Sequence, residues 1–398
     1  MKTAVIGGGA AGFFLAINLK EMCPGMEVTI IEASQRVLRK VEVSGGGRCN
    51  CTNTFDDVGD LQSVYPRGHR LMKRLFNSFD HEDAYRWFEQ RGVALVTQDD
   101  HCVFPRSQDS HTIIDMFLRE AHRLNIRITT GHRVSSMDEL SGYDFVAVTT
   151  GGQPHRAGLQ WLGEEVEEPV PSLFSFGIND TALHDLKGIV APDATALLPA
   201  TKLRAAGPLL ITHWGMSGPC ILRLSSYGAR HLYDAGYAAP LMVNWVGMSE
   251  QQALTVIQET CQRNRQKQVL SVAPCSLTQR HWAYLAHKAL GTGCQDPWSS
   301  QSNKSLGRLV RVLTADEYRI SGRAPHRDEF VTCGGVALRA VNPTTLESRQ
   351  HPLRYYAGEV LDIDGVTGGF NFQAAWTTAF TVAKAISKEV KEHGQTPR

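Results

Sequence analysis

The chain has 398 residues, 42% of them hydrophobic and 20% charged, with a formal net charge of +1. This is the composition of a globular protein with enough apolar residues for two or three domains, which excludes a disordered chain. No apolar run approaches the roughly 18 residues of a membrane span, and a strand that begins at residue 3 leaves no room for a signal peptide. Nine cysteines at irregular spacings point to reduced thiols in a cytoplasm. Cys49 and Cys51 are the only close pair, and no CxxC accompanies them, so no metal site is expected.

Lys2 to Ile6 is a short β-rich run that breaks into Gly7, Gly8, Gly9, Ala10, Ala11 and Gly12 before a helical pattern of Phe13, Leu15, Ala16 and Leu19. Strand, glycine turn and helix in this order suit a dinucleotide pyrophosphate. Gly7 permits the turn, Gly9 lets backbone approach phosphate, and Gly12 lets helix and strand pack closely, with the helix N-terminus facing the anion. A second strand, 27–31, ends in Glu32, twenty residues past Gly12, where a carboxylate can accept ribose hydroxyls.

After Arg39 and Lys40 comes Ser44-Gly45-Gly46-Gly47-Arg48-Cys49-Asn50-Cys51-Thr52-Asn53. Its exposed backbone and fixed donors read as a site for anion and amide groups, in favour of a flavin over a nicotinamide dinucleotide. Tyr143 to Gly152 reads as a buried strand ending in a small-residue turn, with Thr150 and Gly151 returned beside the cofactor. Strand-like runs broken by Pro and Gly fill 170–247, and helical spacing follows from Ser249 to about Leu290. Between 261 and 327, eleven Lys and Arg face three acids, a net +8 that leaves −7 for the rest. A basic module beside an acidic one suits a polyanion such as RNA, although no sequence motif of an RNA-binding module accompanies it. Finally, a strand ends at Gly358, Glu359 and Asp362 follow, and Gly368 and Gly369 open an apolar helix from about Gln373 to Ile386. An acid there could hold ribityl hydroxyls, and the helix N-terminus could lie near the flavin pyrimidine.

The strings SGGGRCNCTN at 44–53, LLITHWGMSGP at 209–219, VTCGGVAL at 331–338 and GEVLDIDGVTGGFNFQAAW at 358–376 together resemble the BaiN/RdsA family of FAD-binding flavoproteins. That family includes a bile-acid-inducible flavoprotein, an aminoacetone oxidase and an enzyme that makes dihydrouridine in ribosomal RNA. The resemblance implies an α/β, Rossmann-type FAD-binding domain, discontinuous in sequence, with an inserted β-barrel-like domain that carries a small helical domain. The expected boundaries are 1–165 and 334–398 for the FAD-binding domain, 166–248 and 303–333 for the β-rich insert, and 249–302 for the helices. The residues expected around FAD are Gly7, Gly9, Ala10, Ala11, Gly12, Glu32, Ala33, Lys40, Ser44, Gly45, Gly46, Arg48, Asn50, Val134, Thr150, Gly151, Gly358, Glu359, Asp362, Gly368, Gly369, Phe370 and Asn371. Two features depart from the family: Glu42 stands where an apolar residue is usual, and the stretch after Gly152 lacks a Gly-Asp-Gly segment found in many members.

With a single glycine fingerprint there is no second dinucleotide domain, so NAD(P)H is expected to dock transiently at the flavin. For reduction of an activated C=C bond, Cys49 in the glycine loop and His213 in the Thr-His-Trp-Gly turn are the candidate proton donors. The expected reading is a cytoplasmic FAD-dependent oxidoreductase with uridine in ribosomal RNA as leading substrate. A small-molecule flavin oxidase or enone reductase, and a non-catalytic flavin-containing RNA-binding factor, are the alternatives.

Overall fold

The structure is a computed structural model that describes residues 1–199, 201–324 and 331–394. The chain divides into two compact units, 1–170 with 331–398 and 171–330.

The first unit is built on a five-stranded parallel sheet in the order 354–356, 145–148, β1 (Lys2–Ile6), β2 (Glu27–Ile31), 127–129. Four of the five residues in each of β1 and β2 are buried, as expected of parallel strands covered on both faces. Helix α1 (Ala10–Met22) crosses between β1 and β2, and its residues from Ala11 to Leu19 are all buried, so only its ends meet solvent. It packs against the helix Phe370–Gly394. The contact is aromatic: the Phe14 ring lies 4.3 Å from Trp87 and 5.1 Å from Trp376, and Trp376 is fully buried. Each such side chain contributes roughly 1.5–3 kcal/mol of burial. The C-terminal helix thus begins three residues earlier than Gln373 and is anchored by the first helix. A small antiparallel sheet, 52–53 with 102–105 and 95–97, carries the end of the Ser44–Asn53 loop.

The second unit holds an eight-stranded antiparallel sheet and the helices Glu250–Arg263, Gln279–Leu290 and Asn303–Thr314. Polar side chains fix the helix starts: Ser249 and Gln252 form a capping box, and Thr278 and Ser302 cap the other two. The span from 303 on, expected to be β-rich, opens with the helix Asn303–Thr314, which packs against the other two before the strand Asp316–Arg323 begins. Its residues Leu306, Leu309, Val310 and Leu313 recur at helical spacing and are buried. Arg327, part of the basic segment, lies outside the described residues. No helix among the described residues is long and apolar enough to cross a membrane.

Candidate functional site

In the first unit the glycine turn lies at the C-terminal end of the central strand, where open α/β sheets place their ligands. Gly7 has φ +115°, and a Cβ there would meet the Thr149 carbonyl oxygen at 2.4 Å. A Cβ on Gly12 would meet the Gly7 carbonyl oxygen at 2.0 Å and Thr149 Oγ1 at 2.8 Å. Gly9 is different, with nothing within 4 Å of its Cβ position, so the turn is packed on one side and open on the other. Gly9 caps α1 with no side chain bonded to the free N–H groups of Ala10, Ala11 and Gly12.

Glu32 stands across this turn. Its carboxylate accepts from Gly8 N at 2.7 Å and Ser34 N at 2.8 Å, one bond to each oxygen, so its remaining lone pairs are held in a fixed orientation. Ala33 beside it is exposed, whereas Val134 is buried in a cluster with Ala4, Ile6, Ile31 and Leu140. Val134 therefore offers at most an edge of packing. Thr150 and Gly151 follow the strand 145–148, partly exposed.

Three distant segments meet at the start of α1. Gly358, at φ +77°, comes so close to Ala11 that a Cβ would lie 2.9 Å from the Ala11 methyl. Its N–H donates to Thr378 Oγ1 at 2.8 Å. Glu359 then bonds to Lys40 Nζ at 2.8 Å through one oxygen and to Thr332 N at 2.9 Å through the other. Gly151 and Gly152 lie beside the same carboxylate.

The Ser44–Asn53 loop has left-handed backbone at Gly45, Gly46 and Gly47, and also at Cys49, with φ 57°, 69°, 83° and 61°. Glycine makes the first three inexpensive. The loop is stapled to the end of the chain. Asn50, with its amide oriented to satisfy its neighbours, accepts from Gly369 N at 3.1 Å and donates to Thr52 O. Asn53 Nδ2 donates to Gly368 O, Thr52 Oγ1 to Gln373 Oε1 at 2.7 Å, and Trp376 Nε1 to Cys51 O at 2.8 Å. Gly369 is required here, since a Cβ would meet Thr52 O at 2.3 Å.

Other expected ligand groups turn inward. Asn371 exchanges bonds with the Gly365 backbone at 2.8 and 2.9 Å, so its amide closes the preceding turn. Phe370 is buried against Phe55 and Tyr65, and its carbonyl accepts from Tyr65 Oη at 2.8 Å. Burial pushes the Tyr65 phenol well above its ordinary range, which keeps it a donor. Arg48 lies over the Phe104 ring, 4.2 Å from its centroid, and donates to Gly45 O. Ser44 Oγ donates to Val41 O at 2.8 Å.

Sequence reasoning nominates Asp362 and passes over Asp364. Asp364 is fully buried and forms a two-point ion pair with Arg67. Burial opposes the Arg67 charge, yet the Asp364 carboxylate, with Cys333 and Asp362, holds the guanidinium above its ordinary value. No local signal links residues 297 positions apart; an acid immediately before the Gly-x-x-Gly-Gly of the last turn is the only hint.

The two nominated proton donors lie in different units. His213 is exposed at the hairpin between strands 209–212 and 215–217, its ring edge-on to Trp214 at 4.3 Å. Cys49 has no exposed surface, and its thiol lies 3.9 Å from that of Cys51. Cys49 therefore reaches a substrate only if the loop opens. Among the described residues no group of three or more His, Cys, Asp or Glu could hold a metal.

These residues fit a dinucleotide: an open Gly9 face, unbonded N–H groups at a helix start and an oriented carboxylate are the donor and acceptor set of a pyrophosphate and a ribose. Family comparison agrees. Residues 1–159 match the HI0933-like protein Rossmann domain, and residues 170–331 the HI0933-like protein barrel and H2TH domain. A 3-dehydro-bile acid delta(4,6)-reductase of Clostridium scindens is 24% identical, covering 97% of this chain and 99% of its own. A ribosomal RNA dihydrouridine synthase of Escherichia coli is 26% identical, covering 96% of this chain and 97% of its own. Among solved structures, a 3-ketosteroid delta1-dehydrogenase from Sterolibacterium denitrificans spans 97% of this chain and 99% of that one, at 10% identity and a TM-score of 0.46. The chain belongs to the HI0933-like family, the BaiN/RdsA flavoproteins, and is an FAD-dependent oxidoreductase.

Proposed function

We propose that this enzyme reduces an activated C=C bond, that uridine in ribosomal RNA is its substrate, and that NAD(P)H is its reductant. The observation that carries the substrate is the state of the basic segment. Arg263, Lys288 and Arg311 are neutralised by Glu259, Asp316 and Glu317. Arg265, Lys267, Lys304, Arg308 and Arg319 are exposed and have no carboxylate partner among the described residues. Cations kept unpaired at a surface are suited to phosphates. The names of the two relatives, a reductase and a dihydrouridine synthase, support the same class of reaction.

Once reduced by NAD(P)H, a bound flavin would supply the hydride. The chain supplies the rest: the α1 N-terminus and the Gly7–Gly12 turn would take the pyrophosphate, Glu32 the adenosine ribose, and the Ser44–Asn53 loop with Gly368 and Gly369 the flavin end. The Lys40–Glu359 pair would border the cofactor beside Gly151 and Gly152, Asp362 would hold the ribityl hydroxyls, and His213 and Cys49 are the candidate proton donors.

The test is the dihydrouridine content of ribosomal RNA, by nucleoside mass spectrometry, in the source bacterium with and without the gene. Loss of one dihydrouridine, restored by the intact protein, supports the reading, and no change sinks it in favour of a small-molecule substrate. Restoration by Cys49→Ala but not by His213→Ala would assign the proton to His213, and the reverse to Cys49. Changing Arg265, Lys267, Lys304 and Arg308 together to alanine should weaken RNA binding across sequences. The slope of log K against log salt should fall by about 0.7 for each phosphate no longer neutralised. An unchanged slope would remove these side chains from the RNA surface.

A further inference from the structure

The Cys49 and Cys51 thiols are the part of the glycine loop that flavin binding does not use. Both side chains are fully buried, and the sulfurs lie 3.9 Å apart. Their backbones are pinned on either side of Asn50: Cys49 N donates to Ser44 O at 3.0 Å, Cys51 N to Val103 O at 2.8 Å, and Cys51 O accepts from Trp376. Cys49 has left-handed backbone, φ 61°, and the Cys51 thiol also donates to the Cys49 carbonyl at 3.5 Å, so the two side chains lie together. To form a disulfide the two sulfurs must close from 3.9 Å to roughly 2.05 Å.

We propose that Cys49 and Cys51 are a dithiol–disulfide couple, a site of reversible two-electron oxidation built into the flavin loop. Closure forms one S–S bond and breaks two S–H bonds, and the two electrons and two protons pass to a two-electron acceptor. Burial keeps bulky disulfides away, so the acceptor is a small oxidant or the flavin that the loop holds; this second route rests on the flavin placement proposed above. Burial, with the neighbouring Cys49, pushes the Cys51 thiol well above its ordinary range, so Cys51 rests as a thiol, not a reactive thiolate.

The experiment treats the holoenzyme with diamide, an azo compound that takes up both hydrogens, then quenches in acid, unfolds and alkylates the protein for mass analysis. Of the nine cysteines, seven should be alkylated, and the peptide containing residues 49–51 should be two hydrogens lighter. Nine alkylated cysteines, or a bond to any other cysteine, would overturn the proposal. Cys51→Ser should leave Cys49 alkylated under the same treatment. Anaerobic dithionite titration of the diamide-treated holoenzyme should then take up twice as many electrons per flavin as Cys51→Ser. Single uptake in both, despite a mapped bond, would refute exchange with the flavin. A purified protein without flavin would instead refute the cofactor placement, and the mass analysis would stand unaffected.

Discussion

Gly12→Ala is expected to purify without flavin and to melt well below the parent. The added methyl would sit 2.0 Å from the Gly7 carbonyl oxygen, a distance at which backbone must move. Gly7 cannot give way, because its N–H donates to Ile31 O at 2.8 Å and its carbonyl accepts from Thr149 Oγ1 at 3.0 Å. Nor can α1 retreat, since it is packed all round against strand and C-terminal helix. Overpacking of this kind costs about 1–3 kcal/mol even where side chains can adjust, and here only backbone could. Gly9→Ala separates fold from ligand. Its methyl meets nothing within 4 Å, and its φ of −93° suits alanine, so the melting temperature should not change. Only a bound pyrophosphate would collide with it. Flavin absorbance per protein and thermal melts decide the matter: G9A with full flavin content would show that the pyrophosphate does not approach Gly9.

Arg67→Met should cost about 3–5 kcal/mol of stability, the penalty for leaving a buried charge without its partner. Asp364 is wholly inaccessible, and the Arg67 side chain is 16% exposed, so neither has water to fall back on. The double variant Arg67→Met with Asp364→Leu should recover most of the loss, because it removes both charges from the interior. Urea unfolding at constant pH measures both. A single-variant loss below about 1 kcal/mol would mean that the carboxylate finds solvation elsewhere. The pair joins the segment after Tyr65 to the turn before the last helix, so flavin content should fall together with stability.

What can be read from the sequence is whatever local chemistry dictates. Gly7, Gly9, Gly12 and Glu32 lie within one strand–turn–helix–strand unit, where spacing alone determines geometry, and the structure brings them together at the C-terminal edge of the sheet. The Ser44–Asn53 loop and the Gly368–Gly369 turn can each be nominated, but not the bonds between them, since nothing in either segment states that Asn50 meets Gly369 or Trp376 meets Cys51. Asp362 and Asp364 alternate along one stretch of chain, and only burial distinguishes them. Asn371 and Phe370 are nominated with the family's motif, and what the sequence does not show is that their side chains also lock that turn, Asn371 through Gly365 and Phe370 against Phe55. The helix Asn303–Thr314 is hidden for a different reason. Its apolar stripe is clear, but Gly307 and the β-branched residues Val310, Val312 and Thr314 weaken its local preference, and packing against two neighbouring helices overrides it.

The bonds that tie residues 50–53 to residues 368–376 have a consequence for the order of events during synthesis. Residues 1–170 leave the ribosome long before their partners, and the sheet then lacks its edge strand 354–356 and the helix that covers α1. The unit 171–330 has its own apolar core and is complete earlier. The nascent N-terminal half must therefore wait, with the aromatic face of α1 uncovered, until Trp376 emerges. Premature termination after residue 330 but before that point yields a chain able to fold its middle but not its ends, a natural target for chaperones and proteases.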